Sequence, residues 1–130
     1  MKALVRARLP YDHTARVLGV RLHHTRNDGL LSGIGHGAAV PVGILTVGVV
    51  VYALRVYGRR RATMTWPARI AVGLFLGGTI GNQVDRLRLG YVTDYVARGE
   101  RNAFNLADLA IYAGLGAIVV LLVRGERART

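Results

Sequence analysis

The chain has 130 residues, 52% of them hydrophobic, and its 18 Lys and Arg against 7 Asp and Glu give a formal charge of +11. With no cysteine, disulfides, thiolate metal sites, a cysteine nucleophile and palmitoylation are excluded by counting. The charge invites a nucleic-acid reading, but 17 of the 18 basic residues are Arg, aromatics are only 7%, and the charges crowd the segments between three apolar stretches. That segregation marks a membrane protein in contact with anionic lipid, and no nucleic-acid partner is expected.

Residues 1–36 carry six Lys and Arg against Asp12 and Asp28 and contain no span. Within them VLGVRLHH alternates with period two, which predicts a short strand over 17–24, and the RNDG that follows is a turn signal. His23 and His24 are adjacent, point to opposite sides of such a strand and make a poor pair of ligands for one metal. His13 and His36 have no acidic neighbour at ligand spacing, and Ser32 has no base beside it.

The run 37–54 is uncharged, and at about 1.5 Å per residue it comes close to crossing the hydrocarbon core as a helix. Arg55, Arg59, Arg60 and Arg61 follow it as a basic loop. A second span, 66–84, opens on Trp66-Pro67, an interfacial aromatic and a residue suited to a first helical turn. Gly73, Gly77 and Gly81 share one face of this helix and predict close helix packing there. Asn82, Asp85 and Arg86 lie at its end; the simplest account pairs Asp85 with Arg86 and gives Asn82 a cap or an interhelical hydrogen bond.

GYVTDY then predicts a short extended segment, and a third span, 104–123, holds Asp108 one turn in, behind Asn105. The excess of Arg in 55–69 and 124–130 puts both in the cytoplasm, so Asp85, Asp94 and Asp108 are expected near the outer surface. Residues 1–36 must then lie outside, although Met1–Pro10 lacks the apolar centre of a signal peptide; an upstream span of about 20 apolar residues would resolve the conflict.

A carboxylate so close to hydrocarbon is costly unless it has a partner or a task. For Asp94 and Asp108 the bland account is capping by backbone amides or pairing with Arg98 and Arg101. The functional one is that they meet, share a proton and activate water, because two carboxylates in contact cannot easily both ionise.

The succession GGTIGNQVDRLRLGYVTDY followed by FNLAD resembles the lipoprotein signal peptidases, which show GN-x-x-DR, VVDF-like and FN-x-AD blocks in that order. The resemblance is strong over residues 77 to 123. It implies a bacterial cytoplasmic-membrane, multi-pass aspartyl endopeptidase, its active site near the outer face, that removes the signal peptide from diacylglyceryl-cysteine prolipoproteins. Asp94 and Asp108 would be the catalytic pair and Asn82, Asp85, Arg86 and Asn105 the polar residues around it. Asn27 and Gly29 look like the family's Asn-x-Gly pattern in an extracytoplasmic strand and loop. No metal or organic cofactor is implied; the partners are the lipid-modified prolipoproteins and membrane lipids.

The expected fold is an all-α membrane protein with a small extracytoplasmic β part: a basic segment, 1–36, and a transmembrane core, 37–130. Three spans are visible, whereas the family has four, the first carrying a characteristic Asp and Lys. The alternative is a non-catalytic, truncated or divergent membrane protein of the same fold that binds lipidated peptides.

Overall fold

The computed structural model describes residues 1–27, 39–98 and 102–127. In chain order the elements are α1 (Lys2–Arg8), β1 (Thr14–Val17), β2 (Val20–Asn27), α2 (Ala39–Arg60), α3 (Trp66–Leu89), β3 (Val92–Arg98), β4 (Asn102–Phe104) and α4 (Leu106–Arg127). The strands form one antiparallel sheet in the order β1-β2-β3-β4, so the amino-terminal hairpin joins the segment between α3 and α4 along the β2–β3 seam.

The strand predicted over 17–24 is found from Val20 on, as the start of β2, while its first residues form the end of β1 and a hairpin turn. Val17 pairs with Val20, and Leu18 and Gly19 between them take φ of 49° and 81°. Two successive positive-φ residues reverse the chain with the twist that suits antiparallel strands; Gly19 adopts this freely, and Leu18 bears it at the exposed tip. Of the expected turn RNDG, Arg26 and Asn27 are still in β2 and pair with Thr93 and Val92. Asp28, Gly29, Ser32 and His36 lie outside the described residues.

Each expected span is a helix, with shifted ends. α3 starts after Thr65 with Pro67 in its first turn and continues past Val84 to Leu89, since nothing breaks it before Gly90. Gly90, at φ 77°, closes the helix in the left-handed conformation and returns its N–H to the carbonyl of Arg86. α4 begins at Leu106 rather than Phe104 because Phe104 pairs with Val96 in β4. Among the described helices one, over Leu106–Gly125, is long and apolar enough to cross a membrane, with a mean hydropathy of 2.3.

The close contact that sets the frame is between α3 and α4; of the predicted glycines only Gly81 faces α4, and the tight approaches are at Gly78 and Gly114. A Cβ on Gly78 would lie 2.4 Å from the carbonyl oxygen of Ala107, and one on Gly114 would lie 2.5 Å from the backbone nitrogen of Phe75. Around Gly73 and Gly77 a Cβ would meet nothing within 4 Å, and at Gly81 only an ordinary contact. The four-residue spacing placed Gly73, Gly77 and Gly81 on a shared face correctly, but α4 lies against the neighbouring face that carries Gly78. Large apolar side chains on α2 and α4, among them Ile44, Leu45, Tyr52, Leu115, Val119 and Leu122, point outward.

Candidate active site

The polar residues singled out in the sequence converge where α3, β3 and the start of α4 meet. Asp94 enters from β3, opposite Thr25 and diagonal to Asn27, which pairs with Val92. Residues two apart on a strand share a face, so Asn27 and Asp94 meet. The Nδ2 of Asn27 donates to Asp94 Oδ2 at 2.9 Å.

Asp108 is positioned by the way α4 begins. Asn105 is the N-cap: its Oδ1 accepts the backbone N–H groups of Ala107 at 2.8 Å and Asp108 at 3.2 Å. Asp108, three residues on, reaches back and accepts the backbone N–H of Asn105 on Oδ2 at 3.1 Å. This reciprocal arrangement is a capping box, with an acid at the helix start where the dipole favours it. The other oxygen, Oδ1, accepts from Asn82 Nδ2 of α3 at 2.7 Å.

Asn105 also joins the two acids, since its Nδ2 donates to Asp94 Oδ1 at 2.7 Å. Each carboxylate oxygen thus accepts at least one N–H, and both groups are nearly inaccessible, at 1% for Asp94 and 2% for Asp108. Burial pushes the Asp94 carboxyl from its ordinary 3.8 up to about 6. The hydrogen bonds from Asn105 and Asn27 oppose the rise, the charge of Asp108 adds to it, and the Lys2 ammonium opposes it. Of the bland account, capping by a backbone amide holds for Asp108, while Arg101 lies outside the described residues.

Asp85 has partners beyond its neighbour Arg86, whose charge it also feels. Its Oδ2 lies 3.2 Å from Lys2 Nζ and accepts the backbone N–H of Thr93 at 3.1 Å, and its Oδ1 lies 3.5 Å from Arg6. Lys2 and Arg6 are four apart and share one face of α1, so both reach the same carboxylate. Lys2 also donates to Asn82 Oδ1 at 2.6 Å, and Arg6 to Thr93 Oγ1 at 2.8 Å. Arg86 sits in the field of Asp108, Asp94 and Asp85.

Lys2, Arg6 and Thr93 are therefore site residues that sequence reasoning missed. The available signal was that Lys2 is the one lysine of the chain, but its partners are about 80 residues away in sequence and no local pattern names them. The described residues contain no cluster of His, Asp or Glu suited to a metal ion. The arrangement is two buried carboxylates bridged by one asparagine, one of them titrating near neutrality, which is the equipment of acid–base chemistry on water.

A family model described as Signal peptidase (SPase) II matches residues 1–124. The lipoprotein signal peptidase of Streptomyces griseus subsp. griseus is 36% identical over 132 residues, covering 95% of this chain and 66% of that protein. That of Moorella thermoacetica is 35% identical over 134 residues, covering 98% and 87%. This chain thus spans about two thirds of the length of the Streptomyces relative. Among solved structures, one described as a bacterial membrane enzyme structure determined by the in meso method at 2.3 Å resolution has the same fold. Its TM-score is 0.87 at 21% identity, with 99% of this chain and 82% of that one covered. Matched along nearly its whole length by that family model, the chain belongs to the signal peptidase II family.

Proposed function

We propose that this chain is an intramembrane aspartyl endopeptidase that removes the signal peptide from prolipoproteins bearing a diacylglyceryl-cysteine at the first mature position, with Asp94 and Asp108 as its catalytic pair. The observation that carries this is the bridge through Asn105, which holds two buried carboxylates in one hydrogen-bonded unit. The relatives named above, lipoprotein signal peptidases, support the substrate class.

In this reading the pair shares one proton, carried by Asp94, whose carboxyl burial raises, and Asp108 is the base. Asp108 takes a proton from water as its oxygen attacks the carbonyl carbon before the lipidated cysteine, and Asp94 gives its proton to the carbonyl oxygen. The tetrahedral intermediate collapses when Asp94 recovers that proton and Asp108 passes its own to the leaving nitrogen, which breaks the C–N bond. Asn27, Asn82 and Asn105 hold the carboxylates, and Asp85 with Lys2 and Arg6 ties α1 to α3 and β3 beside them. α2 and α3 span the membrane together with α4, which the outward apolar side chains support.

The test is cleavage of a diacylglyceryl-modified prolipoprotein by the purified chain in detergent, with Asp94→Asn/Asp108→Asn as control. Cleavage by the parent and none by the double variant is expected. A parent that binds the prolipoprotein without cutting it would make the chain a non-catalytic binder of lipidated peptides.

A further inference from the structure

Asn82 works at both ends of its amide. Its Oδ1 accepts from Lys2 Nζ at 2.6 Å, its Nδ2 donates to Asp108 Oδ1 at 2.7 Å, and the residue is 4% exposed. An ammonium has only donors and an ionised carboxylate only acceptors, so the two partners demand the same orientation of the amide. The ammonium of Lys2 also faces Asp85 Oδ2 at 3.2 Å and the carbonyl of Gly81 at 3.4 Å. Three acceptors converging on one nitrogen suit its three N–H groups better than a planar guanidinium. α1 is held in place for this by buried Val5 and by Arg6, which donates to Thr93 and pairs with Asp85.

A line of hydrogen bonds therefore runs from α1 through α3 to the start of α4. Asp108 is gripped from two elements, by Asn82 on Oδ1 and by the backbone N–H of Asn105 on Oδ2, which together fix the plane of its carboxylate. Losing a charged donor at one end frees a buried amide to rotate toward other partners, and rotation takes Nδ2 off Asp108. We propose that Lys2 is a positioning residue for the base: through Asn82 it holds the carboxylate of Asp108 in the plane from which it takes a proton from water. This rests on the proteolytic reading above. The competing account is a direct field, since the Lys2 charge also reaches Asp94 and acts against its proton. A field needs no Asn82.

The test uses the full chain in detergent and has two arms. In the first, Tm is measured for Lys2→Met, Asp108→Asn and the two together, each with Asn82 and with Asn82→Ala. Lys2→Met should lower Tm about 2 to 4 °C more when Asp108 is intact than when it is replaced by Asn, and Asn82→Ala should erase that difference. Lys2→Gln, which keeps a neutral donor on a shorter chain, takes the place of Lys2→Met if that variant does not fold. A difference that survives Asn82→Ala marks a direct field, and no difference marks an anchor for Asp85 alone; either overturns the proposal. In the second arm, kcat and KM are measured on the diacylglyceryl-modified prolipoprotein. Lys2→Met should lower kcat about 10-fold with KM within about 2-fold, and should cost nothing further when added to Asn82→Ala. Losses that multiply, or a change in KM alone, overturn it. A parent that does not cut would refute the proteolytic reading, while the Tm arm, which needs no cleavage, still decides whether Lys2 positions Asp108.

Discussion

Asp94 keeps its proton longer in the folded chain than in the unfolded one, rising from 3.8 to about 6. Between those values the unfolded chain has already released a proton that the folded chain holds, so stability falls as pH rises through this window and the contribution is complete below it. At about 1.4 kcal/mol per pH unit, this one group lowers stability by up to about 3 kcal/mol by neutral pH. Asp94→Asn should remove that slope whatever its own stability; apparent Tm in detergent from pH 4 to 7 for parent and variant checks this, and parallel curves would refute it. In the same assay, Asn105→Ala should be the most damaging of the supporting changes. It deletes an N-cap worth about 1 kcal/mol and a bond to Asp94. Asn82→Ala, Asp85→Ala and Arg86→Ala should lower thermal stability and leave partial cleavage, because each supports a carboxylate without exchanging a proton. Equal stability with complete inactivity in all of them would move these residues into the catalytic set.

Between elements, the register of α3 against α4 decides whether Asn82 reaches Asp108. Gly78→Ala and Gly114→Ala each drive a methyl into the backbone of the other helix, at 2.4 Å from Ala107 and 2.5 Å from Phe75. Overpacking of this kind costs about 1 to 3 kcal/mol, and separating the helices breaks the Asn82–Asp108 bond as well. Both variants should lose yield and cleavage, whereas Gly73→Ala and Gly77→Ala, with open space around them, should match the parent. Membrane yield, Tm and cleavage measured together would show the contrast; its reversal would return the packing face to the one the spacing predicted.

For the whole molecule, the absence of cysteine permits a direct test of orientation. Leu18 is 99% exposed at the hairpin tip and Thr63 is exposed between α2 and α3, on the opposite sides that the Arg distribution predicts. In intact cells a membrane-impermeant maleimide should label Leu18→Cys directly and Thr63→Cys only after permeabilisation. The opposite pattern would invert the topology and place the candidate site at the inner face.

The sequence by itself determined the three long helices and named Asp94, Asp108 and most of their polar neighbours as candidates, but not the short helix α1. Apolar runs long enough for a span, Pro67 at a helix start and the Asn105-x-x-Asp108 cap are local patterns, legible because their partners are a few residues apart. Local spacing also shows which residues share a face, but not which face another element covers, so it selected Gly73 and Gly77 where α4 meets Gly78. It found the strand from Val20 to His24 but carried it back to Val17, across the positive-φ pair Leu18 and Gly19 that turns the hairpin. Only the tertiary structure brought Lys2 to Asp85 and Asn82, and Asn27 to Asp94. Contacts between groups 67 to 83 residues apart depend on sheet register and helix packing, and those are set by the summed burial of many side chains rather than by any short motif.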